Sequence, residues 1–150
     1  DVLVVDDNSP DETIKVVDEF KSAIPQDLKE KIKIIKRERK LGLGTAYKQS
    51  FEYVLKREYD FILMMDADMS HNPDYIPLFI DKCREYDMVI GSRYIDKGGI
   101  IGWPWYRKML SYFGNIYVRI VIPVPVRDST SGFMGFKKEV LENHRLGVSE

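Results

Sequence analysis

The chain has 150 residues, and 44% of them are hydrophobic, as expected for one ordinary globular domain with an apolar core. The 23 basic and 24 acidic residues leave a net charge of −1. This balance excludes the general positive charge that attracts nucleic acids, so we expect no nucleic-acid partner. The single cysteine, Cys83, excludes an internal disulfide framework, and we expect it to be a small apolar residue in a helix.

Strands and helices alternate through the first part of the chain, because short apolar runs are separated by segments with apolar residues at helical spacing. The predicted strands cover residues 2–5, 32–35, 61–65 and 88–90. The first predicted helix ends near Ser22, and the next two cover residues 46–57 and about 73–86. This alternation predicts a three-layer α/β domain with a mainly parallel sheet. The basic run 29–40 contains isoleucines and glutamates, so we interpret it as a solvated edge strand rather than a nucleic-acid patch.

The pattern changes after Gly91. Glycines and two tryptophans, Trp103 and Trp105, predict a flexible aromatic loop, and a helix is predicted from Tyr106 to about Val121. The apolar residues on one face of this helix are Met109, Phe113, Ile116 and Ile120. That face would lie on a membrane surface or pack on the sheet, and periodicity alone leaves both open. A polar loop at 128–132, a strand at 133–136 and a helix from Lys138 follow.

No apolar run is long enough to cross a bilayer, since the longest, residues 116–126, contains an arginine and two prolines. No signal peptide is visible. The chain starts at Asp1 rather than at a methionine and enters a predicted strand at once. We therefore expect a fragment that is truncated at both ends.

Two aspartates, Asp66 and Asp68, follow directly on the apolar run 61–65. Ligands of a parallel sheet gather at the carboxyl ends of its strands, and residues i and i+2 of an extended segment point the same way. The two carboxylates are therefore candidates to hold Mg²⁺ or Mn²⁺ together with substrate phosphates. The alternative is a pair of solvated loop aspartates.

A second acidic pair, Asp6 and Asp7, ends the first predicted strand, and glycines including Gly44 open the helix after the second. Two families are known to place acidic residues at the ends of strands and account for some or all of these aspartates. A bacterial receiver domain would use Asp6 and Asp7 as its acidic pair and Asp66 as its phosphorylated residue. That family also has a lysine at the end of a fifth strand, and no lysine occurs between Lys108 and Lys137 here. A haloacid-dehalogenase-type phosphatase would use the Asp-x-Asp motif and would leave the first pair unexplained.

Five segments, in chain order, resemble a third family far more closely. They are Val5–Asp11, Arg39–Tyr47, Met65–His71, Gly91–Tyr94 and Asp128–Phe133. Together they resemble the dolichyl-phosphate mannose synthases, which are inverting family 2 glycosyltransferases with the Rossmann-like GT-A fold. The resemblance runs from Asp1 to about Leu141 and implies one catalytic domain over residues 1–150. The family's first strand and its C-terminal part are missing from this sequence.

The resemblance implies a donor site for GDP-mannose. Asp6 and Asp7 would face the nucleoside, and Gly44 would allow close approach of the donor. Asp66, Ala67 and Asp68 would bind the diphosphate, with Mg²⁺ or Mn²⁺ held by Asp66 and Asp68. Some relatives place glutamine and others serine at position 70, so Ser70 is a further candidate ligand. Glucose-transferring relatives share most of these motifs.

The resemblance also implies a lipid acceptor, dolichyl or another polyprenyl phosphate. Three arginines, Arg93, Arg107 and Arg127, would bind its phosphate, because guanidinium groups match phosphate geometry. Asp128 would orient the acceptor or sugar or act as a weak base, or it would only cap its loop. His71 is expected to be a structural turn residue.

The resemblance further implies that the enzyme works at the cytosolic face of a membrane, which is the endoplasmic reticulum in a eukaryote and the plasma membrane in a prokaryote. We expect peripheral binding for this fragment, and small membrane-anchoring subunits are candidate partners. A module that binds nucleotide sugar without turnover is the non-catalytic alternative.

Overall fold

The computed structural model describes residues 1–95, 104–122 and 126–143. By its internal contacts the chain divides into two compact units, Asp1–Glu58 and Tyr59–Glu150. The expectation of one catalytic domain over the whole sequence stays a prediction.

The first unit is a parallel pair of strands with helices packed on it. Its elements are β1 (Val2–Asp6), α1 (Thr13–Ala23), α2 (Gln26–Lys29), β2 (Ile32–Lys36) and α3 (Leu43–Leu55). Val4 pairs with Ile34 in the parallel register of β1 and β2, and β-branched side chains of this kind favour extended backbone. Parallel strands need a long crossover connection, and here α1 and α2 supply it. The parallel pairing predicted for these strands is confirmed.

Two helices in this unit differ from prediction. The one-turn helix α2 was not predicted; it begins directly after Pro25, whose fixed φ suits a helix entry. Helix α3 begins at Leu43, within the glycine-containing segment predicted to open it, where Gly42 adopts a φ of 89° at the N-cap and its carbonyl accepts the N–H of Ala46 at 3.2 Å. It ends at Leu55 rather than at Arg57.

The described residues of the second unit form a three-stranded sheet and three helices. Its elements are β3 (Phe61–Met64), a 3₁₀ turn (Pro73–Tyr75), α4 (Ile76–Glu85), β4 (Met88–Ile90), α5 (Trp105–Val121), β5 (Met134–Lys137) and α6 (Lys138–Asn143). Strand β5 lies between β3 and β4 and is antiparallel to both, with Gly135 opposite Leu63 on one side and Val89 on the other. β3 and β4 therefore run in the same direction. The sequence predicts strand β5 within one residue but not its position or direction.

The core of this unit forms where α4 packs on β5. Phe79 and Cys83 of α4 are buried, and the ring of Phe79 stacks on Phe133 with centroids 4.2 Å apart. A Cβ added at Gly135 would lie 2.8 Å from the Cys83 sulfur, so only glycine allows the helix this close to the strand. Burial raises the pKa of the Cys83 thiol, in agreement with its expected role as a small apolar residue in a helix.

Helix α5 exposes most of its apolar side chains. Trp105, Leu110 and Ile120 are each more than 70% exposed, whereas Asn115 is the one residue of this fully described helix that is buried. Among the residues described, no helix is both long and apolar enough to span a bilayer. Trp103 and residues 98–102 of the expected aromatic loop lie outside the described residues.

Candidate active site

The Asp66–His71 segment forms a tight turn at the carboxyl end of β3. The backbone N–H of Asp66 donates to Nδ1 of His71 at 2.9 Å, and the N–H of Ser70 donates to Oδ1 of Asp68 at 3.0 Å. Met69 adopts a left-handed φ of 65° between them. The ring of His71 stacks on Phe133 with centroids 5.0 Å apart, which gives His71 the structural turn role expected for it. Asp66, Ala67, Asp68 and Ser70 remain exposed to solvent.

The chemistry of this turn suits a hard divalent cation. Hydrogen bonds from the side chain and backbone of Ser70 lower the pKa of Asp68, so its carboxylate is ionised at neutral pH. Carboxylate oxygens are the ligands that Mg²⁺ and Mn²⁺ prefer. Within residues 1–95, 104–122 and 126–143, no group of three or more His, Cys, Asp or Glu could hold a metal by itself. A cation bound by Asp66 and Asp68 would therefore complete its coordination with substrate oxygens or water.

Gly132 packs directly against the carboxylate of Asp66. A Cβ added at Gly132 would lie 2.9 Å from Oδ2 and 3.2 Å from Oδ1 of Asp66. Both distances are shorter than ordinary van der Waals contact. The lack of a side chain at Gly132 thus leaves room for the Asp66 carboxylate in its observed position.

Replacing Gly132 by alanine should displace Asp66 while leaving the fold intact. Asp66 is exposed and its side chain is flexible, so we expect the free energy of unfolding to change by less than about 1 kcal/mol. Any reaction that uses the Asp66 carboxylate should slow by roughly 100-fold, because small misplacements of a binding group are costly. The control is Gly114→Ala, where an added Cβ meets no atom within 4 Å. Equal activities of the two variants would contradict this role for Gly132.

Arg93 and Asp128 form a bidentate ion pair. Nε of Arg93 donates to Oδ2 of Asp128 and Nη2 donates to Oδ1, both at 2.7 Å, and the backbone N–H of Arg93 adds a third bond to Oδ2 at 3.0 Å. Nη2 also donates to the hydroxyl of Thr130 at 2.5 Å. Asp128 is fully buried and Arg93 keeps 21% of its side chain exposed. The structure thus brings together two residues for which the resemblance implies roles at the acceptor site.

Burial and Arg93 act on the pKa of Asp128 in opposite directions. Burial alone would raise the pKa of Asp128, but the hydrogen bonds and positive charge of Arg93 outweigh burial and lower it. Its expected roles, in orienting the acceptor or sugar or as a weak base, stay predictions, and its alternative role in ordering its own loop fits the observed contacts.

The ion pair predicts a pH-dependent loss of stability in Asp128→Asn. A carboxylate with a lowered pKa stabilises the fold above its ordinary value of 3.8, and this contribution is lost as pH falls through the lowered pKa. Urea unfolding at about pH 7 should show a loss of roughly 3 kcal/mol, since Arg93 loses a buried partner. The difference in the free energy of unfolding between wild type and variant should shrink as the pH falls below the ordinary pKa of aspartate. A constant difference across that range would contradict the assignment.

Asn115 of α5 is a site residue that the sequence motifs do not reveal. Its Oδ1 accepts the backbone N–H and the hydroxyl of Ser129 at 2.8 and 2.9 Å. The sequence did contain one signal for it: Ser111 and Asn115 are polar residues four positions apart, so they lie on the same side of the predicted amphipathic helix.

The two other predicted phosphate-binding arginines are exposed at the ends of described segments. Arg107 lies in the first turn of α5, where its backbone N–H donates to the carbonyl of Pro104 at 3.1 Å. Arg127 directly precedes Asp128 in the chain. Their roles stay predictions.

In the first unit, Asp6 lines a cleft of about 590 Å³ formed with Ser9, Lys36 and residues of α1, which is within the size range of small-molecule sites. Asp6 is 4% exposed, and its Oδ2 accepts the N–H of Ser9 at 3.2 Å. Gly44 lies in the first turn of α3, with no atom within 4 Å of an added Cβ. This position leaves open space beside its backbone.

Arg37 corrects the interpretation of the basic run as wholly solvated. Its side chain is buried and forms an ion pair with Asp7, while its Nη2 donates to the hydroxyl of Thr45. Buried cations need such partners. Asp7 is therefore paired within the protein, and any contact that it makes with a nucleoside would share it with Arg37.

Comparison with known proteins identifies the family. Residues 1–145 match the family described as glycosyl transferase family 2. A polyprenol monophosphomannose synthase from Mycolicibacterium smegmatis is 39% identical over 148 residues, which are 98% of this chain and 54% of that protein. An undecaprenyl-phosphate mannosyltransferase from Micrococcus luteus is 39% identical over 150 residues, which are 100% of this chain and 60% of that protein.

The chain thus spans little more than half the length of these curated relatives. The family match and the similarity to these two relatives confirm the resemblance found in the five segments. They exclude the receiver-domain and phosphatase interpretations. The family match together with the alternating helices and strands confirms the α/β fold of the GT-A type. This chain belongs to glycosyltransferase family 2.

Proposed function

We propose that the protein transfers mannose from GDP-mannose to a polyprenyl phosphate such as dolichyl phosphate, with inversion at the anomeric carbon. The observation that carries this proposal is the pair of exposed carboxylates, Asp66 and Asp68, in the hydrogen-bonded turn at the end of β3. Both relatives bear names of enzymes that use mannose and a polyprenyl carrier. A donor diphosphate with its cation would explain the acidic site residues of the second unit, and an acceptor phosphate would explain its arginines.

Asp66 and Asp68 would bind the donor diphosphate through Mg²⁺ or Mn²⁺. Bound there, the cation would supply Lewis-acid neutralisation of the charge that grows on GDP as the sugar leaves. Ser70 orients Asp68 through its backbone N–H, whether or not its hydroxyl also reaches the metal. Gly132 keeps space for the Asp66 carboxylate.

Asp6, Asp7 and Gly44 are our candidates for the nucleoside end of the donor. A carboxylate accepts hydrogen bonds from guanine N–H groups or ribose hydroxyls. Asp6 lines a cleft of suitable size, and Arg37 holds Asp7 in one orientation. Open space beside Gly44 would let a donor group approach the start of α3.

The acceptor needs capture rather than activation. A phosphate monoester has its second pKa at about 6, so its oxygen is already largely ionised at neutral pH. No strong base is then required, which fits the buried, paired state of Asp128. Arg93, held by Asp128, would bind the acceptor phosphate, with Arg107 and Arg127 as further cationic candidates.

A polyprenyl acceptor also requires the enzyme to work at a membrane surface. We propose peripheral binding at the cytosolic face through the exposed apolar side chains of α5, which include Trp105, Leu110 and Ile120. Aromatic and aliphatic residues of an amphipathic helix bind at the headgroup level in this way. Membrane-anchoring subunits stay candidate partners.

The proposal is tested by incubating the full-length protein with labelled GDP-mannose, Mn²⁺ and undecaprenyl phosphate in detergent. We expect label in the lipid extract, and the loss of this product with excess EDTA. A parallel reaction with labelled UDP-glucose should give little product. Transfer of glucose alone would overturn the choice of sugar, and transfer that survives chelation would overturn the metal assignment. Binding of GDP-mannose without any turnover would support the non-catalytic alternative.

A further inference from the structure

Asn115 is a buried amide on a helix that exposes most of its large side chains. It is 4% exposed, whereas Leu110 and Ile120 of the same helix are 72% and 77% exposed. Amphipathic helices normally pack through apolar residues, and buried polar groups are retained where they make hydrogen bonds. The hydrogen-bond partners of Asn115 therefore show which segment this face of α5 positions.

The orientation of the amide follows from its partners. The backbone N–H of Ser129 can only donate, so the atom that faces it at 2.8 Å must be the carbonyl oxygen of Asn115. The same oxygen accepts the Ser129 hydroxyl at 2.9 Å. The Nδ2 group then donates to the carbonyl of Ser111 at 2.9 Å and faces Oδ1 of Asp128 at 3.5 Å.

These contacts connect α5 to the Arg93–Asp128 pair from both sides. Ser129 is the neighbour of Asp128 in the chain, so Asn115 fixes the backbone that carries Asp128. One helical turn earlier, the hydroxyl of Tyr94 donates to that of Ser111 at 2.7 Å, and Tyr94 is the neighbour of Arg93. A displacement of α5 at these two positions would therefore move both partners of the ion pair.

We propose that Asn115 is a positioning residue for the acceptor phosphate: it fixes the Ser129 backbone and thereby the orientation of the Arg93 guanidinium on Asp128. This inference rests on the proposed function, because Arg93 is the group that would bind the phosphate. It also connects the helix with the exposed apolar face to the arginine that would receive the lipid's headgroup. Asn115 itself need not touch the substrate.

The test is Asn115→Ala in the full-length protein, assayed with GDP-mannose and undecaprenyl phosphate. Alanine removes the acceptor of the Ser129 N–H and frees its loop. We expect the KM for undecaprenyl phosphate to rise by roughly 10- to 100-fold, by analogy with residues that orient the ligands of a metal, while the KM for GDP-mannose stays within about twofold. Asn115→Asp keeps the acceptor oxygen but places a second carboxylate beside Asp128, so it should not restore the acceptor KM.

A second substitution separates positioning from loss of stability. Gly114 is exposed, and an added Cβ there meets no atom within 4 Å, so Gly114→Ala should stabilise α5 through its higher helix propensity. We expect the double variant Gly114→Ala, Asn115→Ala to regain melting temperature and to keep the raised acceptor KM. Gly114→Ala alone should have the wild-type acceptor KM.

The outcomes distinguish this inference from the proposed function. A wild-type protein that makes no mannosyl lipid overturns the proposed function and the inference with it. In an active enzyme, an unchanged acceptor KM in Asn115→Ala overturns the inference alone. Recovery of the acceptor KM together with the melting temperature in the double variant does the same, because Asn115 would then be only structural.

Discussion

Asp68→Asn should reduce mannosyl transfer by about a thousandfold or more, because the variant loses the charge that would hold the divalent cation on the donor. Asparagine is close to aspartate in shape, and its Oδ1 can still accept the N–H of Ser70, which lies 3.0 Å from Asp68 Oδ1 in the wild type. The turn should therefore survive while its charge is lost. Initial rates at saturating GDP-mannose and Mn²⁺ measure the effect.

The matched control is Asp81→Asn, which removes an exposed carboxylate of the same unit that pairs only loosely with Arg84 at 3.7 Å. It should transfer mannose at the wild-type rate. Both variants should melt close to wild type, because neither carboxylate is buried. An Asp68→Asn protein that is folded and retains a tenth of the activity or more would contradict the metal assignment.

Arg93→Lys should lower kcat/KM for the polyprenyl phosphate by roughly 100-fold. Arg93 donates to both oxygens of Asp128 through Nε and Nη2, and a lysine ammonium has no such planar fork. Lysine keeps the positive charge, so the buried Asp128 keeps a cationic partner and the variant should remain folded. Most of the loss should lie in the KM for the acceptor.

Arg84→Lys is the control, since it replaces an exposed arginine of α4 in a weak ion pair. It should leave both KM values unchanged. A normal acceptor KM together with a raised KM for GDP-mannose in Arg93→Lys would contradict the assignment of Arg93 to the acceptor site and would assign it to the donor site.

The sequence predicts best those features that depend on local pattern. The apolar run 61–65 predicts β3 and its terminal aspartates, because periodicity and strand ends are local properties. Strand β5 is predicted as a strand but not as the antiparallel neighbour of both β3 and β4. Pairing joins residues far apart in the chain, such as Leu63 and Gly135, and single-sequence patterns carry no record of it.

Two buried polar residues show the same limit within the site. Arg37 looks like part of a solvated basic run, and Asn115 looks like a surface residue of an amphipathic helix. Both are buried because partners elsewhere in the sequence, Asp7 and Ser129, satisfy their hydrogen bonds. The pairing of Arg93 with Asp128 was likewise hidden, although both were named as candidates, since 35 residues separate them.

The central claim is that Asp66 and Asp68 bind a divalent cation together with the donor's diphosphate. Its most direct test is the electron paramagnetic resonance signal of Mn²⁺ titrated with the full-length protein in the presence of GDP. We predict that wild-type protein reduces the free Mn²⁺ signal strongly when GDP is present, and that Asp68→Asn reduces it no more than GDP alone does. Equal binding of Mn²⁺ by the wild type and by Asp68→Asn would contradict the claim.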